Sequence, residues 1–518
     1  MIRTLLPLVL APLALAPPLA AQSCPPHWST DFGLPGVLGS QPSVDAFEVF
    51  DDGTGEALYV GGLFSTAGGV GGPNIARWRG LVWTPVGVGL AGRVRAMFVH
   101  NDGTGPALYA GGEFFGGVLR WDGISWKTVG SGLNGPVYAL GSFDDGTGNA
   151  LFAAGQFTVA GGVAVTNIAR WKNGNWSAVG AGLSGRVNAL AVYNAGSGSR
   201  LYAGGEFITS GPNIAQRIAS WNGITWSPVS SGANLPVRAL GVYNDGSGTK
   251  LYAGGDFTFV GGVPALHVAR YDSQGWAAVG AGLPNGSVLC FTSHDDGGGK
   301  RLFAGGAFSD STVPLAYLAR WDGQAWSALG SGPDSECRAL IEWDSTLPSG
   351  SALYAGGTFV TAGGFAQLRV SKWDNDQAAP TKYCTAKVNS LGCKTAISST
   401  GVPSTVAGSG FTIQASNLLP KAVGLLFYSK SGSQAVAFQG GWLCMLAPTR
   451  RTGVQSANPG SGCVGTFTVD FNAYIASGAD PGLVPGASVW CQWWSRDPGF
   501  APPNNTNLTE GLQFFLCQ

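Results

Sequence analysis

The sequence predicts an all-β protein built from a repeated unit, and two observations carry that prediction. Glycine contributes 83 of the 518 residues without a collagen-like period, which is typical of many tight turns between strands. An apolar strand that ends in two small residues, such as LYAGGEF at 201–207, occurs seven times. The copies follow one another at intervals of 43 to 51 residues and begin at Leu58, Leu108, Leu151, Leu201, Leu251, Leu302 and Leu353.

Each repeat contains four apolar segments. The first, VNALAVY at 187–193, is apolar on both faces, as expected for a strand between neighbouring sheets. A glycine-rich turn, the glycine-pair strand, a strand ending NIARW (167–171 in the preceding copy) and a last strand of the type WSAVGAGL (176–183) complete the unit. Four antiparallel strands in a repeat of this length predict one blade of a β-propeller. We therefore expect a seven-bladed propeller over residues 22–374.

The N-terminal segment is predicted to close this ring. The last strand type begins at Trp in six repeats, and the seventh repeat breaks off after Trp373. The stretch WSTDFGLPGV, which starts at Trp28, has a shortened form of the missing strand. We expect it to complete the last blade beside Trp373.

The repeat pattern of glycine pair, Phe, NIARWDG and W..VG.GL resembles kelch-type propeller repeats and the repeats of cortical polarity markers and exported bacterial proteins. The resemblance covers residues 28–374 and implies a propeller. It implies no particular activity, because propellers host many unrelated functions. Gly204 and Gly205 are expected to allow close backbone packing rather than to do chemistry.

The N-terminus and the composition predict location and exclude some partners. Residues 1–21 read as a signal peptide, with Leu19 and Ala21 before the cut, and no other stretch has the length of apolar sequence that a membrane span needs. We expect a secreted or cell-surface protein. Lys and Arg balance Asp and Glu at 29 each, so no net charge attracts nucleic acid.

Residues 375–382 are predicted to be a linker, and residues 383–518 a small disulfide-containing β-sandwich-like domain. Short strand-like segments between turns indicate the sandwich, and the cysteine-rich stretch resembles a terminal module of exported bacterial proteins. Cys384 and Cys393 are close enough to clip a hairpin, and a bridge from the start of this module to Cys517 is an alternative. The disulfide candidates are Cys384, Cys393, Cys444, Cys463, Cys491 and Cys517.

An odd total of nine cysteines leaves one thiol unpaired or bonded to another molecule. Cys24, Cys290 and Cys337 are the expected sources.

The variable second residue of the first segment is the best candidate for ligand binding. In the seven repeats it is Asp45, Arg95, Tyr138, Asn188, Arg238, Leu289 and Arg338. A hairpin register sets three of them opposite an acid: Arg95 with Glu113, Asn188 with Glu206, and Arg238 with Asp256. Ion pairing is the first interpretation, with Arg338 and Asp45 paired across the seam. If this strand lines a central channel, the ring is also the predicted ligand site.

Other candidates receive structural interpretations. His27, His100, His267 and His294 are scattered, and two of them fill an aromatic position of the repeat, so neither a metal site nor a cofactor is expected. The arginines before the repeat tryptophan are expected to contact neighbouring blades; they are Arg77, Arg120, Arg170, Arg270 and Arg320. Trp490, Trp493 and Trp494 are expected in a core, with a sugar-stacking platform as the alternative.

The sequence shows no recognisable set of nucleophile, base and orienting group. We therefore expect an exported, non-catalytic binding or surface-assembly protein with a protein or polysaccharide ligand. The alternative is a carbohydrate-active enzyme, a glycoside hydrolase or lyase, that uses Glu113, Glu206 and Asp256 near the channel mouth.

Overall fold

The fold is described from a computed structural model. The structure describes residues 27–29, 32, 36–79, 82–296, 299–310, 315–344, 351–374, 380–485 and 487–517. The predicted signal peptide and Cys24 lie outside these residues. Residues 27–374 belong to one compact unit and residues 380–517 to a second. Within the described residues, no helix is long and apolar enough to cross a membrane.

The described part of the first unit holds seven four-stranded antiparallel sheets, which we number 1 to 7 in chain order. Their first strands are Ser43–Asp51, Val94–Asn101, Val137–Asp144, Val187–Asn194, Val237–Asn244, Val288–Asp295 and Cys337–Asp344. The second strands are Glu56–Leu63, Pro106–Gly112, Asn149–Gly155, Ser199–Gly205, Thr249–Gly255, Lys300–Asp310 and Ser351–Gly357. The third strands are Ile75–Arg79, Val118–Trp121, Ile168–Lys172, Ile218–Trp221, Val268–Asp272, Leu315–Trp321 and Val370–Asp374. The fourth strands are Val82–Pro85, Trp126–Thr128, Asn175–Ala178, Trp226–Pro228, Gly275–Ala278, Trp326–Ala328 and, for sheet 7, His27–Ser29.

Short two-residue hairpins lie between the second and third strands of five sheets. They are Thr66–Ala67 with Val70–Gly71, Val159–Ala160 with Val163–Ala164, Thr209–Ser210 with Asn213–Ile214, Phe259–Val260 with Val263–Pro264, and Thr361–Ala362 with Phe365–Ala366. Val37–Leu38 adds a third strand to the first of these hairpins.

In five of the seven described sheets, a tryptophan of the fourth strand donates its indole N–H to a carbonyl of the preceding sheet. In sheet 3, Trp176 packs on Trp171 with 5.3 Å between ring centroids, and its indole N–H donates to the Val129 carbonyl of sheet 2 at 2.9 Å. Trp28 repeats this arrangement: it lies opposite Trp373, 5.3 Å away, and donates to the Leu329 carbonyl at 3.0 Å. The N-terminal strand thus occupies the fourth position of sheet 7.

Neighbouring sheets contact each other through their first strands. Each first strand contacts the first strand of the next sheet, and the first strand of sheet 7 contacts that of sheet 1. Large apolar side chains fill the spaces between the sheets; Phe152, Phe207, Phe257 and Phe303 are fully buried. Antiparallel four-stranded sheets stacked in this way fit a β-propeller.

The glycine pair serves close packing. A Cβ at Gly204 would stand 2.5 Å from Cγ1 of Val237 in sheet 5, and a Cβ at Gly205 would overlap the backbone carbonyl of Arg186. The first position tolerates a methyl group elsewhere, since sheet 3 has Ala154 there, whereas all seven copies have glycine at the second.

Replacing Gly205 by Ala is therefore expected to destabilise the protein by about 2 kcal/mol, because the added methyl group meets rigid backbone. Gly204→Ala is the control and is expected to cost less, because the Val237 side chain can move. Urea denaturation followed by circular dichroism measures both. Equal losses would contradict the packing explanation.

The repeated arginines correct one expectation. A contact with a neighbouring sheet was expected, whereas each arginine pairs with the aspartate of the turn in its own sheet. The pairs are Arg77–Asp52, Arg120–Asp102, Arg170–Asp145, Arg270–Asp245 and Arg320–Asp296. The turn aspartate is fixed from two sides, since Asp52 also accepts hydrogen bonds from Thr54 at 2.6 Å and from Tyr59 at 2.9 Å. The partners are 18 to 25 residues apart in the sequence, so their pairing was not evident from the repeat pattern.

The second unit contains two sheets and a hairpin. The larger sheet comprises Thr381–Tyr383, Val423–Ser429, Arg450–Arg451, Gln455–Ser456, Ser488–Arg496, Thr506–Leu508 and Gly511–Phe515. The smaller comprises Ala396–Thr400, Thr412–Leu418 and Gly465–Asp470, the hairpin is Ser433–Phe438 with Gly441–Met445, and Phe471–Ala476 is a short helix. Both sheets contribute to one core, in which Ile413 and Phe467 meet Leu426, Trp493 and Phe514.

The linker and cysteine predictions need correction. Thr381 and Lys382 pair with Gln513 and Leu512 in the larger sheet, so the predicted linker to residue 382 is too long. Two disulfides join Cys384 to Cys444 and Cys393 to Cys463, so the predicted Cys384–Cys393 clip is wrong.

Two further disulfide candidates have opposite outcomes. Cys517 is also disulfide-bonded. Cys491 is a free thiol, because its strand turns it into the apolar core between the sheets.

Candidate functional site

A β-bulge recurs at the same place in all seven sheets of the first unit. In sheet 4, Val187 pairs with Gly205 and Ala189 pairs with Gly204, which leaves Asn188 without a cross-strand partner. A bulged residue bends its strand and redirects its side chain. The bulged residues are Asp45, Arg95, Tyr138, Asn188, Arg238, Leu289 and Arg338.

All seven bulged side chains line a single cavity of about 480 Å³. The sequence-predicted ring of Arg95, Tyr138, Asn188, Arg238 and Arg338 is thus brought together from five different sheets. Five further residues complete the lining: Arg93, Arg186, Ser287, Ala307 and Glu336. The predicted acids Glu113, Glu206 and Asp256 do not line the cavity but hold the arginines that do.

The bulge also corrects the predicted register. Asn188 does not lie opposite Glu206, because the extra residue shifts the pairing and Glu206 lies beyond the strand, with its amide bonded to the Arg186 carbonyl. The predicted ion pairs nevertheless form, because arginine is long enough to span the shift. Arg95 contacts Glu113 at 2.5 Å and Arg238 contacts Asp256 at 2.8 Å.

Asp45 joins three sheets at the seam between the two ends of the repeat array. Its carboxylate accepts two hydrogen bonds of 2.7 Å from Arg93, which precedes the first strand of sheet 2. It also contacts Arg338 of sheet 7 at 3.4 Å. The Asp45 side chain is only 5% exposed, so these guanidinium groups replace water as its partners.

Replacing Asp45 by Asn is expected to lower the free energy of unfolding by about 2 kcal/mol, because the partly buried Arg93 loses its counter-charge and Arg338 keeps only Glu336. Glu113→Gln is the matched control, since Glu113 is 35% exposed and forms its ion pair with one arginine, Arg95. It is expected to cost less than about 1 kcal/mol. Urea denaturation separates the two results, and a harmless Asp45→Asn change would contradict the role of this seam.

A chain of polar contacts continues through sheets 2 to 6. The guanidinium carbons of Arg95 and Arg186 lie 5.6 and 5.1 Å from the centre of the Tyr138 ring, a cation–π arrangement. Arg186 and Arg238 both bind Glu206. Ser287 of sheet 6 then donates to Asp256, the partner of Arg238.

Sequence reasoning missed Arg93, Arg186 and Glu336. They lie two residues before the bulge, where the other four repeats have Ser or Pro. A charged residue at that position in three of seven repeats was the available signal.

The carboxylates proposed for catalysis are held in ion pairs. Glu113 and Glu206 bind arginine as described above. Burial raises the pKa of Asp256, but hydrogen bonds from Arg238 and Ser287 outweigh burial and keep that pKa below its usual value. A general acid at neutral pH needs a raised pKa, so Asp256 does not suit that role.

Three histidines have contacts within the repeat, and Nδ1 of one of them, His294, lies 3.3 Å from Oε1 of Glu342. The His100 ring lies 5.8 Å from Tyr109 and the His294 ring 5.8 Å from Phe303, in the aromatic position of their repeats. Nδ1 of His267 lies 2.6 Å from the Leu283 carbonyl. In the part of the chain that the structure describes, no group of three His, Cys, Asp or Glu side chains is arranged to hold a metal ion.

The three tryptophans of the second unit have different environments. Trp493 is 1% exposed and lies in the core, whereas Trp490 and Trp494 are half-buried on the other face of the strand. Trp494 lines a cavity of about 450 Å³ with Phe427, Phe438 and Arg451 among its neighbours. Trp494, and not Trp493, therefore meets the geometric requirement for stacking on a ligand.

Comparison with known proteins finds a family match for one segment of the chain. The family model described as "Domain of unknown function (DUF5122) beta-propeller" matches residues 250–275, which cover the second and third strands of sheet 5. No curated protein matches the chain. The family match and the four-stranded sheets together indicate a β-propeller repeat protein.

Two solved structures show distant similarity. The extracellular domain of a hybrid two-component system from B. thetaiotaomicron is 10% identical, with a TM-score of 0.40, and the match covers 96% of this chain and 58% of that one. A tetra-tandem repeat from the extending region of a large adhesion protein is 11% identical, with a TM-score of 0.14 and coverage of 91% and 98%. This chain thus spans little more than half of the first structure.

Proposed function

We propose that this protein is an exported, non-catalytic binding protein that holds a neutral polysaccharide at the channel mouth of a closed, seven-bladed, kelch-like β-propeller. The observation that carries the proposal is the convergence of seven bulged side chains on one cavity. A bulge redirects a side chain, and its repetition gives every blade one side chain directed at the same space.

The chemistry of the cavity favours a ligand with hydroxyl groups. Five arginines, Tyr138, Asn188 and Ser287 supply donors, and Asp45 and Glu336 supply acceptors. A hydroxyl group both donates and accepts, so a sugar can use both kinds of group. The arginines are matched by five acids at the ring, namely Asp45, Glu113, Glu206, Asp256 and Glu336, which leaves no excess positive charge to select an acidic polymer.

Export is supported by the second unit. Two disulfides are typical of an oxidising compartment outside the cytoplasm. The second unit, which we propose to be a β-sandwich, provides a further sugar contact at Trp494. The predicted signal peptide at residues 1–21 is part of the same proposal.

Binding of the full chain to soluble β-glucan, mannan and alginate, measured by calorimetry with an assay for released sugar, tests this function. We expect a neutral polymer to bind, without sugar release and with little dependence on salt. Tyr138→Phe and Asn188→Ala are each expected to weaken binding about tenfold, because each removes a polar group from the cavity. Tyr271→Phe makes the same chemical change as Tyr138→Phe outside the cavity and should leave the affinity unchanged.

Each other outcome contradicts a defined part of the proposal. Sugar release would replace it with the carbohydrate-active enzyme. Binding that is lost in Trp494→Ala and kept in Asn188→Ala would move the site to the second unit. Strong, salt-sensitive binding to alginate alone would show that the arginines of the cavity are not neutralised by the neighbouring acids and select an acidic polymer. If no polysaccharide binds, the ligand class is wrong and a protein partner takes its place.

A further inference from the structure

Two cysteines of the first unit break the repeat pattern. The residue immediately before the bulge is Val in six sheets and Cys337 in sheet 7. The residue two positions later is Ala in six sheets and Cys290 in sheet 6. Each exception occurs once among seven copies.

The two exceptions face each other across the contact between sheets 6 and 7. Cys290 pairs across the strand with Gly305, and a Cβ at Gly305 would stand 2.6 Å from the Cys290 sulfur and 2.8 Å from the Cys337 sulfur. The Cys290 sulfur is also 3.8 Å from the Cys337 backbone carbonyl. The equivalent residues of the other sheets are Ala and Val, so here the repeat places two thiols beside the same glycine.

This contact lies where the chain of polar contacts around the cavity is interrupted. At the level of the bulges, side-chain contacts link sheets 7, 1 and 2 through Asp45, and sheets 2 to 6 through Tyr138, Glu206 and Asp256. Between sheets 6 and 7 the bulge is the uncharged Leu289, with Ala307 beside it. A disulfide at this position would link sheets 6 and 7. These are the neighbouring sheets for which the described residues show no side-chain contact at the level of the bulges.

We propose that Cys290 and Cys337 form a disulfide that joins sheets 6 and 7 in the exported protein. Both are free thiols in the structure, as is Cys491. Their pairing would leave Cys491, buried in the core of the second unit, as the unpaired thiol that the odd cysteine count requires.

The oxidant is an external disulfide, either oxidised glutathione or an exported thiol–disulfide oxidoreductase. One cysteine thiolate attacks this disulfide, forms a mixed disulfide and expels one thiolate. The second cysteine thiolate then attacks the sulfur of the first and expels the other thiolate. The two expelled thiolates take up the two protons that the cysteines lose, so two thiols and one disulfide become one disulfide and two thiols.

The reaction is expected during folding and not afterwards. Burial and the adjacent Cys337 thiol raise the pKa of Cys290, so the thiolate needed for exchange is scarce once the two sheets have closed.

Mass spectrometry of the full chain, produced in an oxidising compartment, tests the proposal. The protein is unfolded with N-ethylmaleimide and no reductant and then digested with trypsin. Cys290 lies in the peptide 271–300 and Cys337 in the peptide 321–338. We expect these peptides to be joined and two hydrogens lighter than their sum, with maleimide on Cys491. Maleimide on both Cys290 and Cys337, also after refolding with oxidised glutathione, would overturn the proposal.

The repeat supplies matched variants. Cys290→Ala and Cys337→Val restore the residues of the other six sheets, so the fold should accept them. In each single variant the remaining cysteine should react with maleimide. The double variant should fold, with a Tm about 5 °C below that of the oxidised protein, because the cross-link no longer restricts the unfolded chain. If the Tm is unchanged and the two peptides are not linked, Cys290 and Cys337 serve only as packing residues and the proposed disulfide is wrong.

Discussion

Replacing Trp28 by Ala is expected to lower the free energy of unfolding by about 4 kcal/mol, which is the range for loss of a buried tryptophan. The ring is 3% exposed, packs against Trp373 and donates its N–H to the Leu329 carbonyl of sheet 6. The effect is large for a residue so near the N-terminus, where substitutions are usually tolerated. Urea denaturation of the full chain, followed by circular dichroism, measures it.

Two variants calibrate this result. Trp226 has the same position in sheet 4, with its N–H 3.0 Å from the Val179 carbonyl, so Trp226→Ala should cost a similar amount. Val88 is 91% exposed, so Val88→Ala should cost almost nothing. If Trp28→Ala resembled Val88→Ala, the N-terminal strand would not be part of sheet 7.

Replacing Glu48 by Gln is expected to stabilise the protein by up to about 3 kcal/mol at pH 8 and to leave it unchanged at pH 4. Glu48 lies on the first strand of sheet 1, and burial raises its pKa from 4.5 to about 7, with a hydrogen bond from the Val49 amide opposing the shift. The equivalent residues of the other sheets are uncharged: Phe98, Gly141, Ala191, Gly241, Thr292 and Ile341.

The sign follows from the two pKa values of Glu48. Below pH 4.5 the carboxyl is protonated in both the folded and the unfolded chain, so it contributes no difference. As the pH rises to about 7, the unfolded chain ionises first and the folded state loses stability relative to it. The advantage of Glu48→Gln should therefore grow between pH 4.5 and about 7 and then stay constant.

Glu342→Gln provides a control of opposite sign. Burial alone would raise the pKa of Glu342. The hydrogen bonds and charges of Lys300 and His294 have the larger combined effect, so this pKa lies below its usual value. Its ionised form thus stabilises the fold above the unfolded pKa, and Glu342→Gln should destabilise the protein at pH 7. Thermal melts of both variants from pH 4 to pH 8 measure the difference. A pH-independent effect of Glu48→Gln would contradict a buried, titrating carboxyl.

The architecture could be predicted because the same local signals occur seven times. Turn residues, an apolar first strand and a pair of aromatic residues predict the strands of each sheet from its own repeat. Where one copy departs from the pattern, the other copies still indicate the strand. The position of Trp28 followed from the same pattern, since the last strand type was missing once.

The site could be predicted only in part. The variable residues at the ring were recognised, but the bulge at Asn188 was not, because a single extra residue leaves the hydrophobic pattern of the strand unchanged. The three missed residues, among them Arg93, come from neighbouring sheets whose proximity the linear sequence does not state.

The disulfide partners show a different limit. Six cysteines permit fifteen pairings, and spacing along the chain does not choose among them. Cys384 bonds a cysteine 60 residues away and not the nearer Cys393, because the strands between them return the chain to the same place. The strand that contains Cys491 has large apolar residues on both faces. The sequence therefore does not show which face is buried, and the structure places the Cys491 thiol in the core.

Hydrogen exchange of the N-terminal strand tests the central claim, that residues 27–29 complete sheet 7, whose bulge lines the same cavity as the bulges of the other six sheets. The account predicts that amides in 27–29 exchange as slowly as those of Trp226 and Ser227 in the fourth strand of sheet 4, and that Trp28→Ala speeds exchange in Val370–Asp374. Exchange of residues 27–29 at the rate of an unstructured segment, with Val370–Asp374 unaffected by the substitution, would contradict it.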